Sequence, residues 1–288
     1  MQVQFFRDFL QRFAPDSVNP IKFHCRIAFL PCVCYTETVK EMTKMLLFCC
    51  FMGLGLVSMI LFLTKRKPQV TLGVATLKTV TSLFFIFAAL AAASVNDECP
   101  RYFALFMAGG TVFGLLGDLT LDLKYVYPND SGYYLKCGFI SFLLGHVCYS
   151  TGLIILYHRS AIDRPLVVFG VAALVCAASV LFVLTTENLL GVRYGGSKPI
   201  TCLYMTFLGF TLGLSLGLAI ATHFSTQTLI MLIGMVLFIA SDAVLSGIYF
   251  SLDEKKRTSR PSIVINHTMY YLAQFLIALS ILFAKPNL

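Results

Sequence analysis

Long apolar runs alternate with short clusters of charge, Pro and Gly along most of this chain, at a period far too long for strands or amphipathic surface helices. A membrane-spanning helix needs about 20 mostly apolar residues. Eight runs meet that length: Met45–Thr64, Val70–Ala93, Phe103–Leu123, Tyr133–Tyr157, Leu166–Thr185, Pro199–Ala221, Thr228–Tyr249 and Ile263–Phe283. Breakers separate them, among them Lys65-Arg66-Lys67-Pro68, Tyr127-Pro128-Asn129-Asp130 and Gly195-Gly196-Ser197-Lys198-Pro199. The pattern predicts an all-α, polytopic membrane bundle of about eight transmembrane helices. Its connections are too short to hold a soluble domain, so any chemistry must be built inside the bundle. Residues 1–44 read as an N-terminal tail, interfacial or disordered, and residues 45–288 as the transmembrane domain. The tail's apolar stretch Ile27–Cys34 is too short to cross and contains Pro31.

Composition agrees. Hydrophobic residues make up 58% and charged residues 12% of the 288, with a mean hydropathy of +0.81, against about a quarter charged in soluble proteins. The net charge of +8 is spread over loops and tail, which suits anionic lipid headgroups and excludes nucleic acid. With the side reached after the first run labelled side B, its loops and span ends hold Lys65, Arg66, Lys67, Lys124, Lys136, Arg193, Lys198, Lys255, Lys256, Arg257 and Arg260, and the other side far fewer cations. Side B is therefore expected to face the cytosol. A glycan on the Asn129-Asp-Ser131 sequon would reverse that orientation. Ten cysteines are scattered, and the six inside predicted spans, Cys49, Cys50, Cys137, Cys148, Cys176 and Cys202, read as small apolar fillers.

Two aspartates break this apolar background, Asp118 in the third run and Asp242 in the seventh. A carboxylate at that depth costs at least about 2.5–3.5 kcal/mol, and such residues normally line a functional cavity. At 1.5 Å per residue, Asp118 and Tyr204 lie about 8 Å from side B, Asp242 about 10 Å, Lys78 about 12 Å and Gln274 about 16 Å. Five helices thus place polar groups in one half of the bilayer, with His146 near the midplane. Bland roles compete: a structural Lys78–Asp118 pair, His146 as a hydrogen-bonded packing residue, Tyr204 as a belt aromatic, and Asp122 at the headgroup boundary beside Lys124. The Gly209, Gly213, Gly217 series reads as a face for close helix packing.

Two carboxyls in unlike surroundings can hold different protonation states, one giving a proton while the other accepts one. That pairing hydrolyses an acid-labile ether without metal or serine. The five histidines show no metal-ligand spacing. Intramembrane aspartyl proteases also use two membrane aspartates, but here Leu115 stands where their Gly-x-Gly-Asp motif begins, Ser241 replaces a tyrosine, and no Pro-Ala-Leu follows.

Lys78, Gly114-Leu-Leu-Gly-Asp118, Phe142-Leu-Leu-Gly-His-Val-Cys-Tyr149, Phe238-Ile-Ala-Ser-Asp-Ala-Val-Leu245 and Tyr270-Tyr-Leu-Ala-Gln-Phe-Leu-Ile-Ala278 together resemble the lysoplasmalogenase, or YhhN-like, family of multi-spanning membrane proteins over roughly Met45 to Phe283. The resemblance implies an endoplasmic-reticulum hydrolase that cleaves the vinyl ether of lysoplasmalogen to a fatty aldehyde and glycerophosphoethanolamine or glycerophosphocholine, without a cofactor. Asp118 and Asp242 are the expected acid and base. Lys78, His146, Tyr204, Tyr271 and Gln274 are the expected substrate-binding residues. The expected partners are the lipid substrate and the bilayer, with a homodimer allowed. The rivals are a proton-coupled lipid or ion transporter, for which inverted repeats would be the signature and none is found, and a receptor-like bundle without turnover.

Overall fold

The computed structural model describes residues 30–286, with side chains from residue 39 onward except at 186 and 188–190. The chain divides into a unit of residues 1–40 and a unit of residues 41–288; residues 1–29 of the tail lie outside the described residues. Eight helices are long and apolar enough to cross a membrane: α1 (Leu30–Lys65), α2 (Leu72–Val95), α3 (Arg101–Val126), α4 (Ser131–Arg159), α5 (Pro165–Leu190), α6 (Lys198–Ala221), α7 (Thr226–Phe250) and α8 (Arg260–Leu282). A single helical turn, Glu254–Arg257, precedes α8.

Local sequence sets most of the boundaries. Pro165, Pro199 and Pro261 sit in the first turn of α5, α6 and α8, where a missing N–H leaves no helical bond unmade. Gly191 ends α5 in the left-handed region at φ 64°, a conformation glycine adopts without strain. The start of α1 differs from the expected Met45. Pro31 falls in the helix's first turn, and Glu41 meets Lys44 at 2.6 Å one turn on, so polar residues that end an apolar run do not end a helix.

Six helices close a ring in the spatial order α2, α3, α4, α6, α7, α8, with α8 also touching α3 across the middle. Helix α5 packs outside the ring on α6. Helix α1 lies against α2 and α8, through a 2.8 Å Ser58–Thr81 hydroxyl bond and ring contacts of Phe62 with His267 and Tyr271. The α5–α6 contact is close because Gly213 and Gly217 face backbone: a Cβ at Gly213 would lie 2.5 Å from Ala172 Cα, and one at Gly217 2.7 Å from the Val168 carbonyl oxygen. The packing role expected for this glycine series is what the structure has.

At the side-B end the loops on either side of α6 and α7 are tied together. Arg193 N–H donates to the Phe250 carbonyl (2.8 Å) and Leu252 N–H to the Gly191 carbonyl (3.0 Å), while Glu187 accepts from Lys198 (2.6 Å) and from the Tyr194 N–H (3.0 Å). At the opposite end Asn96 donates to the Ile281 and Ala284 carbonyls. The ring is clamped at both rims, and its polar residues lie between.

Candidate active site

Asp118 projects from the middle of α3 into the ring and is 3% exposed. Its carboxylate collects three donors from two neighbouring helices. Lys78 Nζ of α2 stands 3.2 Å from Oδ1; Ser82 Oγ, one turn along α2, donates to Oδ2 at 2.6 Å; and Tyr270 Oη of α8 donates to Oδ2 at 2.9 Å. Gly117, just before it, leaves space on α3 that the Phe142 ring of α4 fills.

Lys78 joins Asp118 to a second acid. Its Nζ lies 3.4 Å from Asp122 Oδ1, and the guanidinium of Arg66 approaches the same oxygen at 3.3 Å. Asp122 and Arg66 are 2% and 3% exposed, so Asp122 is buried in a four-membered charge array and is not paired with Lys124. The reason is rotation along α3: one turn after Asp118, Asp122 shares its inward face. Lys124, two residues further on, turns away and lays its ammonium over the rings of Tyr249 and Tyr125.

Asp242 enters from α7. It is half-buried and accepts a hydrogen bond from Tyr204 Oη of α6, with no cation within ion-pair distance among the described residues. Asn266 Nδ2 of α8 donates to the neighbouring Ser241 carbonyl at 2.7 Å, which fixes the turn of α7 that carries the acid. Asp118 and Asp242, with Lys78, Tyr270, Asn266 and His267, line one small cavity of about 20 Å³, close to the space one water molecule needs.

Asp242 also stands at the edge of a larger space. A groove of about 460 Å³ runs between α5, α6 and α7, walled by Leu174, Phe182, Val183, Met205 and Ile239, with Asp242 its single acidic residue. The groove extends from the side-B end of α5 and α7 toward the middle of the bundle. A third, narrow space of about 20 Å³ joins Asp242 to Tyr204, Thr201 and Tyr249.

Of the residues singled out in the sequence, Asp118, Asp242 and Lys78 meet at the central cavity, and Tyr204 holds Asp242 instead of sitting at the interface. Gln274 lies behind the site: its Oε1 accepts from Tyr149 Oη (2.8 Å) and its Nε2 approaches Tyr270 Oη (3.4 Å). Tyr271 donates to the Lys78 carbonyl (3.1 Å) and meets Ser82 Oγ (3.2 Å), supporting α2 from outside the cavity. His146 is 1% exposed and packs edge-on to Phe238 with centroids 4.7 Å apart. Neither ring nitrogen makes a hydrogen bond among the described residues, so it is a packing residue but not a hydrogen-bonded one, and it lies off the cavity. Ser82 and Tyr270 were not singled out. Helical spacing holds the missing signal: Ser82 is four residues after Lys78, and Tyr270 four before Gln274, each on the face of a residue already chosen.

Among the described residues no group of three or more His, Cys, Asp or Glu side chains is arranged to hold a metal ion. The profile of the YhhN family matches residues 74–281, a stretch from the start of α2 to the end of α8 that includes every residue of the paired-acid cavity. The chain belongs to the YhhN family. The match leaves out α1 and Arg66 just after it, so the Arg66–Asp122 contact ties a residue outside the YhhN match to one within it. No curated protein and no solved structure gives a match to the chain.

Proposed function

We propose that this YhhN-family protein is an intramembrane hydrolase of the endoplasmic reticulum that cleaves the vinyl ether of lysoplasmalogens by acid–base catalysis between Asp242 and Asp118. One observation carries the reading: Asp242 stands where a lipid-facing apolar groove meets a water-sized cavity that it shares with Asp118. An alkenyl chain in that groove brings its ether carbons to Asp242, and a water in the cavity touches both acids.

The unequal surroundings support different roles for the two acids. An ammonium and two hydroxyls face Asp118 and compensate a carboxylate there; Asp242 has a hydroxyl partner and, among the described residues, no cation within ion-pair distance, which suits a neutral acid that accepts from Tyr204 through one oxygen and keeps its O–H for the substrate. Asp242 gives its proton to the vinyl carbon remote from oxygen. The oxocarbenium ion that results lies within reach of the Asp118 charge. Water adds to its carbon and leaves a proton on Asp118. In the hemiacetal, Asp242 takes back the hydroxyl proton while Asp118 returns its own to the ether oxygen as the C–O bond breaks. One water is consumed, fatty aldehyde and glycerophospho-alcohol are released, and both acids regain their starting states.

Purified protein in lipid nanodiscs, given lysoplasmenylethanolamine and analysed by chromatography, tests this. Asp118→Asn and Asp242→Asn are each expected to lower aldehyde release by about a hundredfold to ten-thousandfold, the usual scale for loss of a general acid or base. Wild-type rates in either variant, or lipid that is moved across the membrane unchanged by the wild-type protein, would defeat the proposal.

A further inference from the structure

A polar pocket of about 430 Å³ opens at the side-B rim, bounded by the end of α3, the start of α4, the end of α7 and the turn Glu254–Arg257. Lys124, Arg257 and Glu254 all line it, with the rings of Tyr125 and Tyr249. Among the described residues no ion pair joins these three charges to one another or to any other group. The ammonium of Lys124 is instead held 3.0 Å above the centre of the Tyr249 ring and 4.8 Å from that of Tyr125. A mouth with two cations and one anion, none of them ion-paired from within among the described residues, is complementary to a ligand that carries its own opposite charges.

Tyr249 places this mouth next to the acids. The same side chain borders the rim pocket, the narrow space beside Tyr204 and Asp242, and the cavity shared by Asp118 and Asp242. From groove to cavity to rim, apolar, acidic and zwitterion-matched surfaces follow one another in the order of a lysolipid's tail, ether and headgroup. We infer that the rim pocket is a headgroup site for phospho-amine zwitterions, with Lys124 and Arg257 on the phosphate and Glu254 on the amine. The Tyr249 and Tyr125 rings hold the Lys124 ammonium in the pocket, a favourable contact for a cation, and bidentate guanidinium contacts suit phosphate. That the ligand is a lysolipid rests on the hydrolase reading; the charge pattern of the pocket does not.

Soluble headgroups separate the two ideas. Binding of glycerophosphoethanolamine and of glycerol 3-phosphate to the full chain in nanodiscs of uncharged lipid, followed by ligand-observed NMR, reads the pocket with no need for turnover. Wild type is expected to bind glycerophosphoethanolamine more tightly than glycerol 3-phosphate. Arg257→Gln and Lys124→Gln are each expected to weaken both ligands by about tenfold, a charge-assisted contact's worth, while Glu254→Gln weakens only the amine-bearing one and erases the preference. Glu254 and Arg257 are exposed, so both variants leave the folded bundle intact. Equal binding of the two ligands by wild type and Glu254→Gln, or no binding of either, overturns the assignment. If the expected binding pattern holds while the wild-type protein releases no aldehyde, the headgroup site stands and the hydrolase reading falls.

Discussion

Arg66, Asp122, Lys78 and Asp118 form two cations and two anions in a row, each 5% exposed or less at the side chain. A buried array of this kind is sensitive to the loss of any one member, because each neutralises its neighbour in a medium that cannot. Asp122 is the acid of this array that no step of the proposed reaction uses. Asp122→Ala strands Arg66 and leaves Lys78 with one anion, and is expected to lower stability by about 3–5 kcal/mol, read as a fall in the thermal transition of the detergent-solubilised protein. A transition unchanged by this substitution would mean the pair is solvated. The tyrosines of α8 give a finer test. Tyr270 donates directly to Asp118, whereas the hydroxyl of its neighbour Tyr271 meets, among the described residues, Ser82 and the Lys78 carbonyl. Tyr270→Phe removes a hydrogen bond to a charged group, about 1.5–3 kcal/mol, and should slow aldehyde release by about ten- to a hundredfold; Tyr271→Phe should fall well short of that. The sequence named Tyr271 of this Tyr-Tyr pair as a substrate-binding residue, and the structure puts the Tyr270 hydroxyl on Asp118. Residue type and depth are legible in a single chain, but the rotation of α8 about its axis is set by packing of Phe85, Phe142 and Phe238 around Tyr270, which no local pattern encodes. Arg66 was missed in a related way, since a cation beside Lys65 and Lys67 reads as loop charge until a partner 56 residues away is seen to bury it.

Span limits were largely readable. Thr228–Tyr249 became Thr226–Phe250, and Val70–Ala93 became Leu72–Val95, because the solvent that stops an apolar run also stops a membrane helix. The exceptions are ends where polar residues continue a helix outside the apolar run, as at Glu41 and Lys44 of α1 and at Glu187 beyond the span of α5. The glycine series of α6 is the element-scale feature with the clearest consequence. Gly213 and Gly217 let α6 touch the backbone of α5 at Ala172 and Val168, and α5 supplies one wall of the apolar groove. Backbone cannot yield as a flexible side chain can, so Gly213→Ala is expected to cost about 1–3 kcal/mol through overpacking. It should also shift α5 outward and widen the groove. The check is a lowered thermal transition accompanied by a smaller rate on long-chain substrate. A loss of stability with catalysis untouched would show that the wall position does not matter to the reaction.

At the scale of the whole molecule, the cavity of the two acids and the apolar groove meet at Asp242, and on the proposed reading the groove takes the lipid chain. In water an apolar groove would attract a hydrocarbon chain strongly, but within a bilayer the chain leaves surroundings as apolar as the groove wall. Little binding energy is therefore gained from the groove, and its use must be positional: it holds the ether carbons against Asp242 instead of letting them wander in the leaflet. Misplacement by about 1 Å is enough to lower a rate about a hundredfold. Ala178 lines the groove on α5, away from every hydrogen bond of the site. Ala178→Phe is accordingly expected to lower kcat for long-chain lysoplasmalogen by about a hundredfold with little change in KM, while a vinyl ether with a chain too short to reach Ala178 is cleaved at the wild-type rate. Kinetics across a series of alkenyl chain lengths in nanodiscs would show this as a break at the length where the chain meets the new ring. An increase in KM with kcat unchanged would instead make the groove a source of affinity and overturn the positional account.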